Sequence, residues 1–397
     1  MNHQHALRPH HHHHHGHHSH HHHHVWRHAL DICLEFIRKN VVLTIAVALA
    51  IITSCIVPPD AQYADYFDWK TLTCLFCTLA VVCALKNIKF FTILARKIVT
   101  CTGNLRVAVI AIVYITFLGS MLISNDMALL TFLPLGFFVL TSTGQQKHMA
   151  FVFIMQNIAA NLGGMLTPFG NPQNLYLYSK FNIPTGEFMM IMLWPFVAAI
   201  ALITVCCLFL PREKLTITES CPDRLPVWRT VVYLVLFALA IVVVFRFIPY
   251  WIGLAVIAVA LLFLDKKALA KVDYGLLATF FCFFIFAGNM ARIPAVSQLF
   301  SALLEKNPLF VSILSCQVIS NVPSAILLSQ FTTDYPALLL GVNIGGTGTL
   351  IASLASLITF REYTAHNPGK SGSYLLKFTL FNVGFVVALS AVALLVL

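Results

Sequence analysis

The chain has 397 residues, of which 59% are apolar, 12% aromatic and only 10% charged, with a formal net charge of +10. A water-exposed surface needs a far larger charged share, so these proportions exclude a soluble globular protein and demand hydrocarbon around most of the sequence. The length allows roughly ten spans of about 20 residues, and the positive balance reads as a topology signal rather than a nucleic-acid footprint.

From His10 to His24 only Gly16 and Ser19 interrupt histidine. Such a stretch buries nothing, so residues 1–37 are expected to form a disordered tail and juxtamembrane segment, the histidines being either an added tag or a metal-chelating extension. No n-region, short h-region and small-residue cleavage site follow one another there, so the first span is expected to be retained. Apolar runs then predict full spans at 41–57, 69–85, 188–210, 228–247, 250–264, 273–290 and 373–397, with interrupted ones at 148–180 and 336–363. Residues 105–140 and 309–331 read as helical hairpins, broken by Ser124-Asn125-Asp126 and Ser320-Asn321-Val322. Arms of about 11 and 9 residues are too short for ~30 Å of hydrocarbon, so the second hairpin is expected to be re-entrant, and the first by analogy. Most of the eleven cysteines lie in apolar runs and are read as reduced core residues, Cys74-x-x-Cys77 included.

The fold class expected is therefore an all-α membrane protein with about nine full spans, two hairpins and two interrupted helices. Of the 25 basic residues, 20 fall in connections on one face, which makes the amino terminus cytoplasmic and the carboxyl terminus external.

Three motifs recur in order: Phe67-Asp68-Trp69 as Val272-Asp273-Tyr274, Ile123-Ser124-Asn125 as Ile319-Ser320-Asn321, and Asn161-Leu162-Gly163-Gly164-x-x-Thr167 as Asn343-Ile344-Gly345-Gly346-x-x-Thr349. This is a duplicated unit, 38–210 and 228–397, joined by the polar linker 211–227. An odd number of crossings between the copies turns them opposite ways, the inverted repeat of secondary transporters.

Glycine-rich breaks at membrane depth persist only where they line a cavity or bind a ligand. Candidate binding residues are thus Asn161, Gly163, Gly164, Thr167, Gly170, Asn171 and Asn174 in one break, and Asn343, Gly345, Gly346, Thr347 and Thr349 in the other. The hairpins add Ser124, Asn125, Asp126, Ser320, Asn321 and Ser324. Broken helices present positive partial charge and bare carbonyls to one gap, suiting an anion and a cation together. Asp126 is the one carboxylate read at membrane depth, predicted to bind Na⁺ or carry a proton. No enzyme motif survives inspection: Gly369-Lys370-Ser371 lacks the rest of a phosphate loop. No cofactor is expected.

The ordered set Ser-Asn-Asp, Leu-Thr-Pro-Phe-Gly-Asn-Pro-Gln-Asn, Ile-Ser-Asn-Val-Pro-Ser and Asn-Ile-Gly-Gly-Thr-Gly-Thr resembles the ion transporter superfamily of citrate-transporter-like and arsenite-permease-like proteins and divalent anion:sodium symporters. The resemblance covers residues 38–397 and is closest to small bacterial anion permeases. It implies an elevator-type carrier of a small inorganic or organic anion in the bacterial inner membrane, with a homodimeric scaffold. It also implies one Na⁺ site at Ser124, Asn125, Asp126 and Gly170, and its mirror at Ser320, Asn321 and Gly346. Asp126 and Val322 stand where the dicarboxylate symporters have threonine, which leans toward the arsenite-permease or sodium/proton-antiporter branches. A His-tail metal sensor is the alternative of a different class.

Overall fold

The computed structural model describes residues 34–37, 40–217 and 224–397; the histidine run and the middle of the linker lie outside the described residues. Eighteen named helices follow in order. The first series is α1 (Val41–Ile56), a 3₁₀ turn (Ala61–Tyr66), α2 (Trp69–Asn87), α3 (Phe90–Thr100), α4 (Leu105–Ile123), α5 (Asn125–Ser142), α6 (Met149–Gly163), α7 (Pro172–Lys180) and α8 (Thr185–Leu208). After α9 (Val227–Val244) come α10 (Tyr250–Leu264), α11 (Lys266–Ala270), α12 (Tyr274–Ala291), α13 (Pro294–Lys306), α14 (Pro308–Ile319), α15 (Asn321–Leu328), α16 (Tyr335–Gly345), α17 (Leu354–His366) and α18 (Ser371–Val396). The order α1 to α8 matches α10 to α18 element for element, and α9 stands between them. Short polar side chains start the matched helices: Asp68 and Asp273 cap α2 and α12, and Asn104 and Asn307 cap α4 and α14, each accepting a backbone N–H of the first turn.

The chain is an all-α membrane protein, without strands among the described residues. Seven helices, α2, α4, α5, α8, α9, α12 and α18, are long and apolar enough to cross a bilayer. The nine expected spans are distributed differently: α1 and α10, at 16 and 15 residues, fall below that length, while both arms of the first hairpin reach it. The first hairpin's arms have 19 and 18 residues, about 28 Å at 1.5 Å per residue, whereas α14 and α15 have 12 and 8. Its tip nevertheless stands beside Leu75, Thr78 and Val82, the middle of α2. The amphipathic helices α3 and α13 fill connections that apolar run length alone does not resolve.

Two sets of contacts define opposite rims. On one, Asn87 meets Asp265 and Lys271, Arg106 donates to the Leu210 carbonyl, Lys147 pairs with Glu213, and His366 stacks on Phe137. On the other, Arg292 pairs with Asp60, Ser179 donates to Asp68, and Arg246 donates to the carbonyls of Tyr178 and Ile183. Helices α4 and α6 start at the first rim, α14 and α16 at the second. Packing separates two groups: α1, α2, α9, α10 and α12 in one, and the hairpins, broken helices, α8 and α18 in the other. The groups meet where α7 and α4 touch α2 and where α15 touches α12.

Candidate functional site

Each hairpin turns on a serine whose backbone is left-handed in φ and extended in ψ: φ 75° and ψ 158° at Ser124, φ 76° and ψ 163° at Ser320. This region is nearly reserved for glycine, and holding another residue there costs about 1–3 kcal/mol. The turn aims the next amide at the following residue: Asn125 Oδ1 accepts from the Asp126 N–H at 3.0 Å, and Asn321 Oδ1 from the Val322 N–H at 2.9 Å. The serine hydroxyls cap neither α5 nor α15. Ser320 Oγ lies 3.3 Å from the Ala352 carbonyl, and the Asn321 N–H donates to that carbonyl at 2.9 Å.

The broken helices meet the hairpins in equivalent ways, 182 residues apart along the breaks and 196 along the tips. Thr167 Oγ1 donates to the Met121 carbonyl at 3.2 Å, and Thr349 Oγ1 to that of Gln317 at 3.4 Å. Gly163 packs against Phe117 and Ser120 of α4, as Gly345 packs against Ile313 and Cys316 of α14. Absence of a side chain at these two glycines therefore lets helices touch. Gly164 and Gly170 close on each other across the first break, while Gly346 faces the Asn321 amide.

Asparagines join the two breaks. Asn125 Nδ2 donates to Asn161 Oδ1 at 3.2 Å, Asn171 Nδ2 reaches Asn343 Oδ1 at 3.3 Å, and Asn343 Nδ2 donates to Asn174 Oδ1 at 2.6 Å. Asn174 Nδ2 lies within 3.2 Å of the carbonyls of Gly164 and Met165, pairing backbone that the break leaves free of helix. All five asparagines are buried. These amides hold the halves in register.

The starts of α5, α7, α15 and α17 line one cavity of about 50 Å³, through Asn125, Asp126, Pro172, Gln173, Ser320 to Pro323, and Leu354. Thr279 of α12 faces it. That volume suits a water or two and falls short of the several hundred Å³ of an organic-ligand pocket. Each helix start carries about half a positive charge, so four offer about +2 in total against the single negative charge of Asp126. Its Oδ1 is buried without a hydrogen-bond partner among the described residues, as are Gln173 Oε1 and Asn171 Oδ1.

Not every expected ligand reaches this cavity. Ser124 lies beside a smaller cavity against α2, with Thr78 and Phe169. Ser324 bonds Ser315 across the second hairpin at 2.8 Å, Thr347 donates to the Ile344 carbonyl at 2.6 Å, and Thr349 is exposed. Sequence reasoning missed Gln317, whose amide accepts from the Thr349 N–H and donates to the Gly345 carbonyl. It also missed Gln173 and Thr279. A lone amide or hydroxyl in an apolar helix carries no signal separating a cavity wall from interhelical packing.

The family model described as citrate transporter matches residues 30–335. An uncharacterized transporter of Methanocaldococcus jannaschii is 34% identical over 297 residues, 74% of this chain and 81% of that protein. The inner membrane protein YbiR of Escherichia coli is 29% identical over 304 residues, 74% of this chain and 80% of its own length.

Proposed function

This chain belongs to the citrate transporter family, and on that premise we propose that it is a secondary active carrier of a small anion in the inner membrane, driven by Na⁺ or H⁺. The observation that carries the reading is the meeting of four helix starts and one carboxylate on a single cavity. With Asp126 ionised, part of the positive potential of the helix starts is cancelled; with Asp126 neutralised by a cation or proton, the site favours an anion. Binding of the coupling ion thus prepares binding of the substrate. Ser124, Asn125, Asp126 and Gly170 remain the proposed ion position, and Ser320, Asn321 and Gly346 form its uncharged mirror in the second half.

The roots of the two hairpins on opposite rims support an inverted repeat, with the basic rim cytoplasmic. The separate packing of α1, α2, α9, α10 and α12 supports an elevator in which the remaining bundle moves against them, with a homodimer formed through the static group. A cavity this small requires the tips to part before an organic anion enters. Cation/proton antiport is the second reading, favoured by the absence of Lys and Arg from the described cavity wall beside Asp126.

Counterflow in proteoliposomes against citrate, succinate, arsenite, sulfate and Na⁺ tests the choice. Accumulation of an anion under an imposed Na⁺ or pH gradient is expected, and Asp126→Asn is expected to remove the ion dependence. Cation exchange without movement of any anion would move the assignment to antiport.

A further inference from the structure

The two halves of the central cavity differ in one correlated respect. Asp126, the second residue of α5, corresponds to Val322 of α15, and Gln173, the second residue of α7, corresponds to Ala355 of α17. Both polar members belong to the first half, and both counterparts are apolar. Asp126 and Gln173 line the same 50 Å³ cavity. Gln173 is 1% exposed, and Asp126 Oδ1 and Gln173 Oε1 are buried acceptors without a donor among the described residues. Burying one such acceptor costs about 1–3 kcal/mol, and more when it is charged, so two of them on the wall of one small cavity are best relieved by a partner that both share. Two acceptors repel each other unless a cation or a proton lies between them.

We infer that Asp126 and Gln173 form a single monovalent-cation position, without a counterpart in the second half, so that one coupling charge is bound there per cycle. It deepens the carrier reading, on which it rests, by adding a ligand and a stoichiometry at that site. The cation is Na⁺, held between the two oxygens. Thr279 Oγ1 of α12, whose own proton is given to the Gly275 carbonyl at 2.7 Å, is free to accept from the opposite wall. Asp273 caps the head of α12, six residues before Thr279. Arg96 of α3 meets α5 at Phe138, far from the tip, and Arg106, Lys180 and the Glu362–His366 pair sit at the outer ends of α4, α7 and α17.

The test is thermal unfolding of the detergent-solubilised full chain, titrated with NaCl against choline chloride at constant ionic strength. A saturable rise of the midpoint with Na⁺, with a Hill coefficient near one, is expected. Asp126→Asn should abolish it. Gln173→Leu, close in volume, should weaken half-saturation fivefold or more without loss of fold, and Gln173→Glu should strengthen cation binding. A wild-type protein whose midpoint does not respond to Na⁺ overturns the inference. So does a Hill coefficient near two, or an unchanged response in Gln173→Leu. Intact one-site stabilisation with no transport in liposomes would instead sink the carrier reading and leave the pair standing.

Discussion

Ser124 and Ser320, 196 residues apart, hold the same backbone conformation to within about 5° in both torsions. A conformation this unfavourable, repeated at two tips, is held by the surrounding hydrogen bonds rather than by the serines. Replacement by glycine relieves it. Ser124→Gly and Ser320→Gly are each expected to raise stability by about 1 kcal/mol, whereas Ser320→Ala keeps the strain and loses the hydroxyl contact to Ala352. Chemical or thermal denaturation of the three variants checks the order; an alanine variant more stable than its glycine partner contradicts it.

The two packing glycines should differ in severity. A methyl group on Gly163 would run into the backbone carbonyl of Phe117, which cannot rotate away, while on Gly345 it would stand about 3.0 Å from Cys316 and from the Ile313 Cα. Overpacking of a tight helix contact costs about 1–3 kcal/mol. Gly163→Ala is expected near the upper end and Gly345→Ala near the lower, read as loss of folded yield and a lower unfolding midpoint. Equal effects would show that the contact with α4 is looser than described.

Asn174 serves both halves, since its Nδ2 pairs the carbonyls of Gly164 and Met165 and its Oδ1 receives Asn343. Asn174→Asp keeps the outline and removes the donors, placing a carboxylate against carbonyl oxygens. It should cost more than Asn174→Ala, itself about 1–3 kcal/mol. A double-mutant cycle with Asn343→Ala should return a coupling of about 0.5–3 kcal/mol. Additive effects would mean that the amides do not join the two breaks.

The Asp60–Arg292 pair gives an acid-side signature. The hydrogen-bonded guanidinium of Arg292 holds the Asp60 carboxyl below the usual carboxylate range. A depressed carboxylate contributes stability that is complete above its unfolded value, about 4, and that fades as pH falls through the folded value. Unfolding midpoints of wild type and Arg292→Ala should therefore differ by a constant amount from pH 6 to 8 and converge below about pH 4. A gap that widens in acid would reverse the assignment.

The elements carrying the site were readable because their chemistry is costly in lipid. Polar tripeptides inside apolar runs, and paired glycines beside asparagine, have few explanations at that depth, and the tips and breaks stand where those residues occur. The amphipathic helices α3 and α13 were not resolved as elements, because short mixed segments resemble connections when only apolar run length is counted. The cavity wall was less legible still. Gln173 follows a proline in a loop-like string, and Thr279 is a single hydroxyl among phenylalanines; only the meeting of α7 with α12 around one space distinguishes either from packing. Ser324 and Thr349, which motif symmetry marked, bond within the second hairpin and to its Gln317 carbonyl instead of lining the cavity.

A space of about 50 Å³ between the tips admits a water or two, not a file of them. Protons hop readily along unbroken chains of water and poorly across dry gaps, so tips packed this closely insulate. Under the carrier reading proposed above, an idle protein of this shape would leave the electrochemical gradients undissipated, and the tightness of the gap would set how much stored energy leaks away between turnovers.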